Sequence, residues 1–269
     1  MRFLYFILAL LILTSCLKQL DAVPDAPEQL VLECYISPAD TVVRAVLSRA
    51  TSFAEKEIKF TDLFVRDAAI SISDGVTEKH FVPDTSNRFY QFRVSDDFKI
   101  EKGKSYSIKA VAKNGEILTA SCTVPPGHIQ PEQITVAKLA QNNNSMDVSI
   151  SWKHNAADQY IVRPYYFSSL PKYFNWHTAH NPQFISGADI AGDILTTNYF
   201  TTDLARNQPK NTVFLYVADE HFYAYSKSKN ANQNNQVDPF AQPLNAKHNI
   251  TGGLGCFGAY NVTRIDIGF

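Results

Sequence analysis

Met146-Asp147-Val148-Ser149-Ile150-Ser151-Trp152-Lys153 alternates apolar and polar side chains over its whole length. A two-residue period puts Met146, Val148, Ile150 and Trp152 on one face of an extended strand, the pattern of a sheet with one face in a core. The pattern recurs on both sides. Downstream, residues 160–167 predict the next strand, residues 212–218 a buried one and residues 260–267 a closing one. Upstream, Leu30, Leu32, Cys34 and Ile36 share a face, residues 41–49 make a second strand, and Ile70 and Ile72 alternate with Ser71 and Ser73 before Asp74-Gly75 turns the chain. Tyr106, Ile108 and Ala110 share a face ahead of Asn114-Gly115, a dipeptide favoured in type I′ hairpins.

Pro125-Pro126-Gly127 interrupts the alternation and sets a domain boundary before Pro131. With so few backbone donors, this stretch predicts an exposed, locally openable connector. The expected fold is mostly β, with two sandwich-like (immunoglobulin/fibronectin-like) domains over residues 29–125 and 132–269 and one short helix in the second. Asp219 is placed to cap that helix over residues 220–229, where Phe222 and Tyr225 share a face. The Asn/Gln-rich residues 230–236 read as a loop, and residues 168–203 as irregular and aromatic-rich.

Two ordinary domains fit in 269 residues, and 45% apolar against 19% charged residues describes a folded chain. A net charge of −1 gives no electrostatic footprint for nucleic acid. The N-terminus carries Arg2, an apolar run over residues 3–13 and then Thr14-Ser15-Cys16. That is an export signal over residues 1–15, too short to span a bilayer. Leu13-Thr14-Ser15-Cys16 resembles the bacterial lipobox, which implies diacylglycerol on Cys16 and a membrane partner reached through lipid. Residues 16–28, with two Pro and two Asp, read as a tether.

Several stretches resemble, in order, a Bacteroidota lipoprotein family known as domain of unknown function 4249. They are Cys16 with Leu30-Val31-Leu32-Glu33-Cys34-Tyr35-Ile36, then Ala69-Ile70-Ser71-Ile72-Ser73-Asp74-Gly75, then Thr119-Ala120-Ser121-Cys122-Thr123-Val124-Pro125. The fourth is Pro239-Phe240 leading to Asn249-Ile250-Thr251-Gly252-Gly253-Leu254-Gly255-Cys256-Phe257-Gly258-Ala259-Tyr260, the most specific part. Cys34 stands where the family usually has Gly. The resemblance implies a role beside TonB-dependent outer-membrane receptors and transfers no catalytic residues.

Gly253-Leu254-Gly255-Cys256-Phe257-Gly258 spells G-x-G-x-x-G, yet a dinucleotide site needs a strand before and a helix after it, whereas here a strand follows. Close backbone packing or a bulge explains the glycines better. His177 and His180 form a close histidine pair with no third ligand signalled, so no metal and no cofactor is expected. Tyr165, Tyr166 and Phe167 read as core, while Tyr173, Phe174 and Trp176 are candidates for a binding surface that stacks on sugars or anchors a protein. Asp40-Thr41-Val42 resembles the Bacteroidota O-glycosylation signal, with Thr41 as acceptor. Cys34 and Cys122, on apolar strand faces, read either as a disulfide, which export favours, or as two buried free thiols; Cys256 is unpaired in both readings. The expected function is a non-enzymatic outer-membrane lipoprotein accessory to a TonB-dependent nutrient transporter. The alternatives are a glycan-binding module or a structural or assembly lipoprotein. Which membrane face it occupies stays open, because Leu17-Lys18-Gln19-Leu20-Asp21 supplies a single acidic residue after Cys16.

Overall fold

Alternation in the sequence becomes three hydrogen-bonded sheets in the structure, a computed structural model that describes residues 28–50, 60–84, 89–141, 145–168, 175–178, 182–203, 211–235 and 245–267. The first half gives β1 (Gln29–Ile36), β2 (Val42–Ala50), β3 (Ala69–Ser73), β4 (Glu78–His80), β5 (Val82–Asp84), β6 (Phe89–Arg93), β7 (Ser105–Val111) and β8 (Ile117–Thr123). The second gives β9 (Thr135–Gln141), β10 (Ser145–Lys153), β11 (Gln159–Ser168), β12 (Asn175–Thr178), β13 (Gln183–Ser186), β14 (Ile194–Thr196), β15 (Phe200–Asp203) and β16 (Asn211–Ala218). The helix α1 (Glu220–Asn235) and the long strand β17 (Leu254–Ile267) follow.

The largest sheet runs β12-β11-β16-β17-β1-β2-β6-β5, with β13 also on β11. Two smaller sheets, β4-β3-β7-β8 and β14-β10-β15 with β9 beside β10, pack on one of its faces. Leu32, Cys34, Ile36, Ile72, Ile108 and Leu118 close the first core, and Val148, Ile150, Trp152, Tyr160, Leu215 and Val217 the second. Each sandwich holds a buried tyrosine that reaches back to its own chain. Tyr106 donates to the Lys99 carbonyl at 2.7 Å, and Tyr160 accepts the Asn155 N–H at 2.9 Å. Such tyrosine-to-backbone bonds are a feature of immunoglobulin-like corners.

One strand serves both cores. Residues 254–259 of β17 run parallel to β1, Val31 opposite Leu254 through Ile36 opposite Ala259. From Tyr260 onward the same strand runs antiparallel to β16, ending with Asn211 opposite Ile267. Phe257 and Ala259 enter the first core, and Ile265 and Ile267 the second. The closing strand therefore starts earlier than residue 260, and residues 254–259 complete the first sandwich although the sequence partition put them in the second. The glycines hid this. At Gly255 φ is +110°, and a Cβ there would stand 2.1 Å from the Leu32 carbonyl oxygen, so a glycine is what allows β17 to lie against β1.

The connector differs from expectation too. Val124, Pro125 and Ile129 are buried, and Asn261 of β17 donates to the carbonyls of Pro125 at 2.7 Å and Gly127 at 2.6 Å. Thr263 adds a bond to the Ile129 carbonyl. Proline supplies no N–H, but its carbonyl still needs a partner when buried, and β17 provides it.

Cys34 and Cys122 face the same core as free thiols, so the disulfide alternative is not the one observed. Their strands are not the sheet neighbours that the sequence reading supposed: β17 and β2 flank β1, while β8 pairs with β7 in the opposing sheet. Burial pushes both thiols up, which keeps them protonated and unreactive. Residues 168–203 also differ from the irregular stretch expected, since β12 to β15 lie within them; strands of three or four residues are too short for a period to show. The helix runs six residues past position 229, through most of the Asn/Gln stretch. Where the sequence reading ended the helix, Lys229 bonds Glu33 at 2.8 Å and the Lys247 N–H bonds Ser228 Oγ at 2.9 Å, tertiary contacts that fix the turn from which it continues.

Candidate functional site

The outer face of the large sheet, opposite the two cores, carries α1. Its start follows from Asp219, whose Oδ1 accepts the Phe222 N–H at 2.7 Å as an N-cap. Phe222 rests on Gly258, where a Cβ would stand 2.7 Å from the Phe222 Cβ, so this second glycine sets how closely the helix approaches. Phe222, Tyr225, Ser226, Lys229, Asn230 and Gln233 share the helix face that overlooks the sheet. Opposite them stand Tyr35 of β1, Tyr260 of β17, Tyr216 of β16, and Arg163 and Tyr165 of β11.

Between helix and sheet lies a cleft of about 490 Å³, which Pro182 helps to line. Its aromatic wall is continuous: Phe222 stacks on Tyr260 at 5.1 Å, Tyr260 meets Tyr216 edge-on at 5.3 Å, and Tyr35 meets Phe222 at 5.1 Å. The Arg163 guanidinium sits over the Tyr216 ring at 5.7 Å. At the other end Glu33 accepts from Tyr225 Oη at 2.5 Å and from Lys229 Nζ at 2.8 Å. Burial raises the Glu33 carboxyl, but Lys229 and Tyr225 together outweigh it and hold the group below its ordinary value. Burial pushes the Tyr216 phenol up to about 12, and Tyr35 and Tyr260 further up, so these hydroxyls stay protonated as hydrogen-bonding groups.

Two carboxyls on the margin are costly. Burial drives Asp219 up to about 6 against the backbone hydrogen bonds of Phe222 and Ala259. Burial likewise drives Asp40 up to about 6 against the Ser37 N–H and Arg44. A carboxyl raised in the folded state above its unfolded value near 3.9 binds protons more tightly when folded, so it favours folding at low pH and loses that contribution as pH rises from about 4 through 6. Wild type should therefore gain on Asp219→Asn, by about 1–2 kcal/mol, when urea unfolding is moved from pH 7.5 to pH 5. An identical stability difference at both values would show that Asp219 titrates normally.

The sequence-derived candidates are scattered. Thr41 is exposed in the turn between β1 and β2, beside Asp40. Trp176 lies on β12 opposite Phe167, although the side chains of β12 are outside the described set. Cys16, Tyr173, Phe174 and His180 lie outside the described residues. His177 is on a strand rather than in a loop or helix, and among the described residues no three His, Cys, Asp or Glu are grouped to hold a metal. Tyr165, read as core, is half-buried and faces the cleft. Tyr35, Arg163, Tyr216 and Tyr260 were missed altogether. The usable signal was in β16, where Phe214 and Tyr216 alternate with Val213, Leu215 and Val217: a strand apolar on both faces must be covered on both.

Among solved structures the chain is similar to a two-domain fibronectin type III segment of chicken tenascin, at 14% identity over 71% of this chain and 90% of that one, with a TM-score of 0.23. A cytokine receptor complex is similar at 10% identity over 88% of this chain and 95% of that one, with a TM-score of 0.25. Red sea bream transglutaminase is similar at 8% identity over 91% of this chain and 32% of that one, with a TM-score of 0.24. No functional residue transfers from any of them. No curated protein matches the sequence. The family described as Domain of unknown function (DUF4249) matches over residues 19–266, which is nearly the whole length, and the chain belongs to that family.

Proposed function

We propose that this protein is a lipid-anchored, non-enzymatic binding module of the outer membrane that captures a small ligand in the cleft beneath α1 on behalf of a TonB-dependent transporter. The observation that carries the reading is the continuous aromatic wall of Tyr35, Phe222, Tyr260 and Tyr216 with Arg163 at its edge, in a space within the usual range of small-molecule sites, about 300–1,000 Å³. Half-buried, protonated phenols offer rings to stack on and hydroxyls to bond with, which suits recognition better than proton transfer. The lipobox at Cys16 supports anchoring, and two molecules confined to one membrane associate through a modest interface because their effective concentration is high. A sugar is one such ligand, bound here by the cleft rather than by Tyr173, Phe174 and Trp176, on which the sequence reading placed glycan binding.

Affinity purification from crosslinked, mildly solubilised membranes should recover a β-barrel receptor with the wild type and lose it with Cys16→Ser, which should also move to the aqueous phase on detergent partitioning. Failure to recover any receptor after crosslinking would remove the accessory role.

A further inference from the structure

Lys229 and Arg163 both line the cleft, but among the described residues only Lys229 has a carboxylate partner. Lys229 is paired with Glu33 at 2.8 Å, and Glu33 is further occupied by Tyr225. Arg163 has no carboxylate within ion-pair distance among the described residues, and its Nε is buried with no hydrogen-bond partner. Asp40 acts on Tyr260 from behind, yet its Oδ2 is engaged by the Ser37 N–H at 2.8 Å in the β1–β2 turn. A half-buried guanidinium without a counter-charge is costly, because desolvation is incurred and nothing offsets it. The cation–π contact with Tyr216 at 5.7 Å offsets a little of that cost. The planar guanidinium fork is matched by a carboxylate, which accepts two parallel bonds from it. Beside that fork lie the rings of Tyr216, Tyr260 and Phe222, which suit a flat or ring-shaped body about one to two sugar units across.

Resting on the reading of the cleft as a capture site, we infer that its ligand carries a carboxylate, bound by Arg163, on a ring that stacks against Tyr216 and Tyr260. Such a group comes either from a uronic acid or from an aromatic acid. The full chain in detergent is titrated calorimetrically with digalacturonate and its methyl ester, and with 4-hydroxyphenylacetate and its methyl ester. At least one acid should bind roughly tenfold or more tightly than its own ester, and which acid does so identifies the source. Arg163→Gln should abolish that preference with an unchanged melting transition, and Arg163→Lys should retain part of it. The acid-to-ester comparison in the wild type stands even if a variant fails to fold. Equal binding of acid and ester, or a preference that survives Arg163→Gln, overturns the carboxylate assignment while leaving a capture cleft in place. No binding of any probe also overturns it, and together with an empty crosslinking result it removes the capture function as well.

Discussion

Gly255→Ala is expected to cost about 4 kcal/mol or more, enough to leave little folded protein from a total that for domains is about 5–15 kcal/mol. Two effects add. A backbone at φ +110° is one that L side chains rarely adopt, a penalty of roughly 1–3 kcal/mol. The new methyl would also meet the Leu32 carbonyl oxygen at 2.1 Å and the Leu32 nitrogen at 2.9 Å, both backbone atoms of the adjacent strand, so the parallel ladder between β1 and β17 must open. Gly115 separates the two effects, because its φ is +88° but a methyl added there would meet nothing within 4 Å. Gly115→Ala should therefore cost about 1 kcal/mol. Urea midpoints for the pair check this, and equal losses at the two positions would mean that strand contact contributes nothing at Gly255.

Asn261→Leu is expected to cost about 2–4 kcal/mol, since it removes both donors from the Pro125 and Gly127 carbonyls while keeping the side chain's bulk. Buried acceptors left without partners forfeit their hydration with no return. The same variant should change where proteases cut. Limited digestion of the wild type should spare residues 125–131, because Asn261 and Thr263 hold that stretch down, and Asn261→Leu should open it. A wild-type chain cut first at the connector would show that β17 does not restrain it.

Much of the fold was legible. The alternation of Ile70 with Ser71 and of Val148 with Ser149, the Asp74-Gly75 and Asn114-Gly115 turns and the Asp219 cap each mark a local preference that the structure keeps. What could not be read are the long-range pairings. Nothing near Leu254 says that its partner is Val31 rather than a neighbour in the chain, and glycine lowers strand propensity where two backbones must touch. The cleft was hidden for a similar reason. Arg163, Tyr216 and Tyr260 come from three strands, and each looks like an ordinary outward-facing residue until the sheet places them side by side and α1 covers them. The extension of α1 past Lys229 was hidden because an Asn/Gln-rich composition is read as loop whereas a helix already nucleated can propagate through it.

The course of β17 also governs when this protein can form. In the first sandwich β1 pairs with the nearby β2, but its other neighbour, β17, lies more than two hundred residues away, so one side of β1 stays open until that segment is present. The first sandwich is therefore not complete within residues 29–125 and waits for residues 254–259. The entropy of closing so long a loop is met only when the last strand docks, and that docking completes both halves in one event. A chain cut short before Leu254 loses an interior strand from each sandwich and leaves the edge of β1 bare, a template for aggregation. The integrity of both sandwiches thus hangs on one segment, residues 254–267.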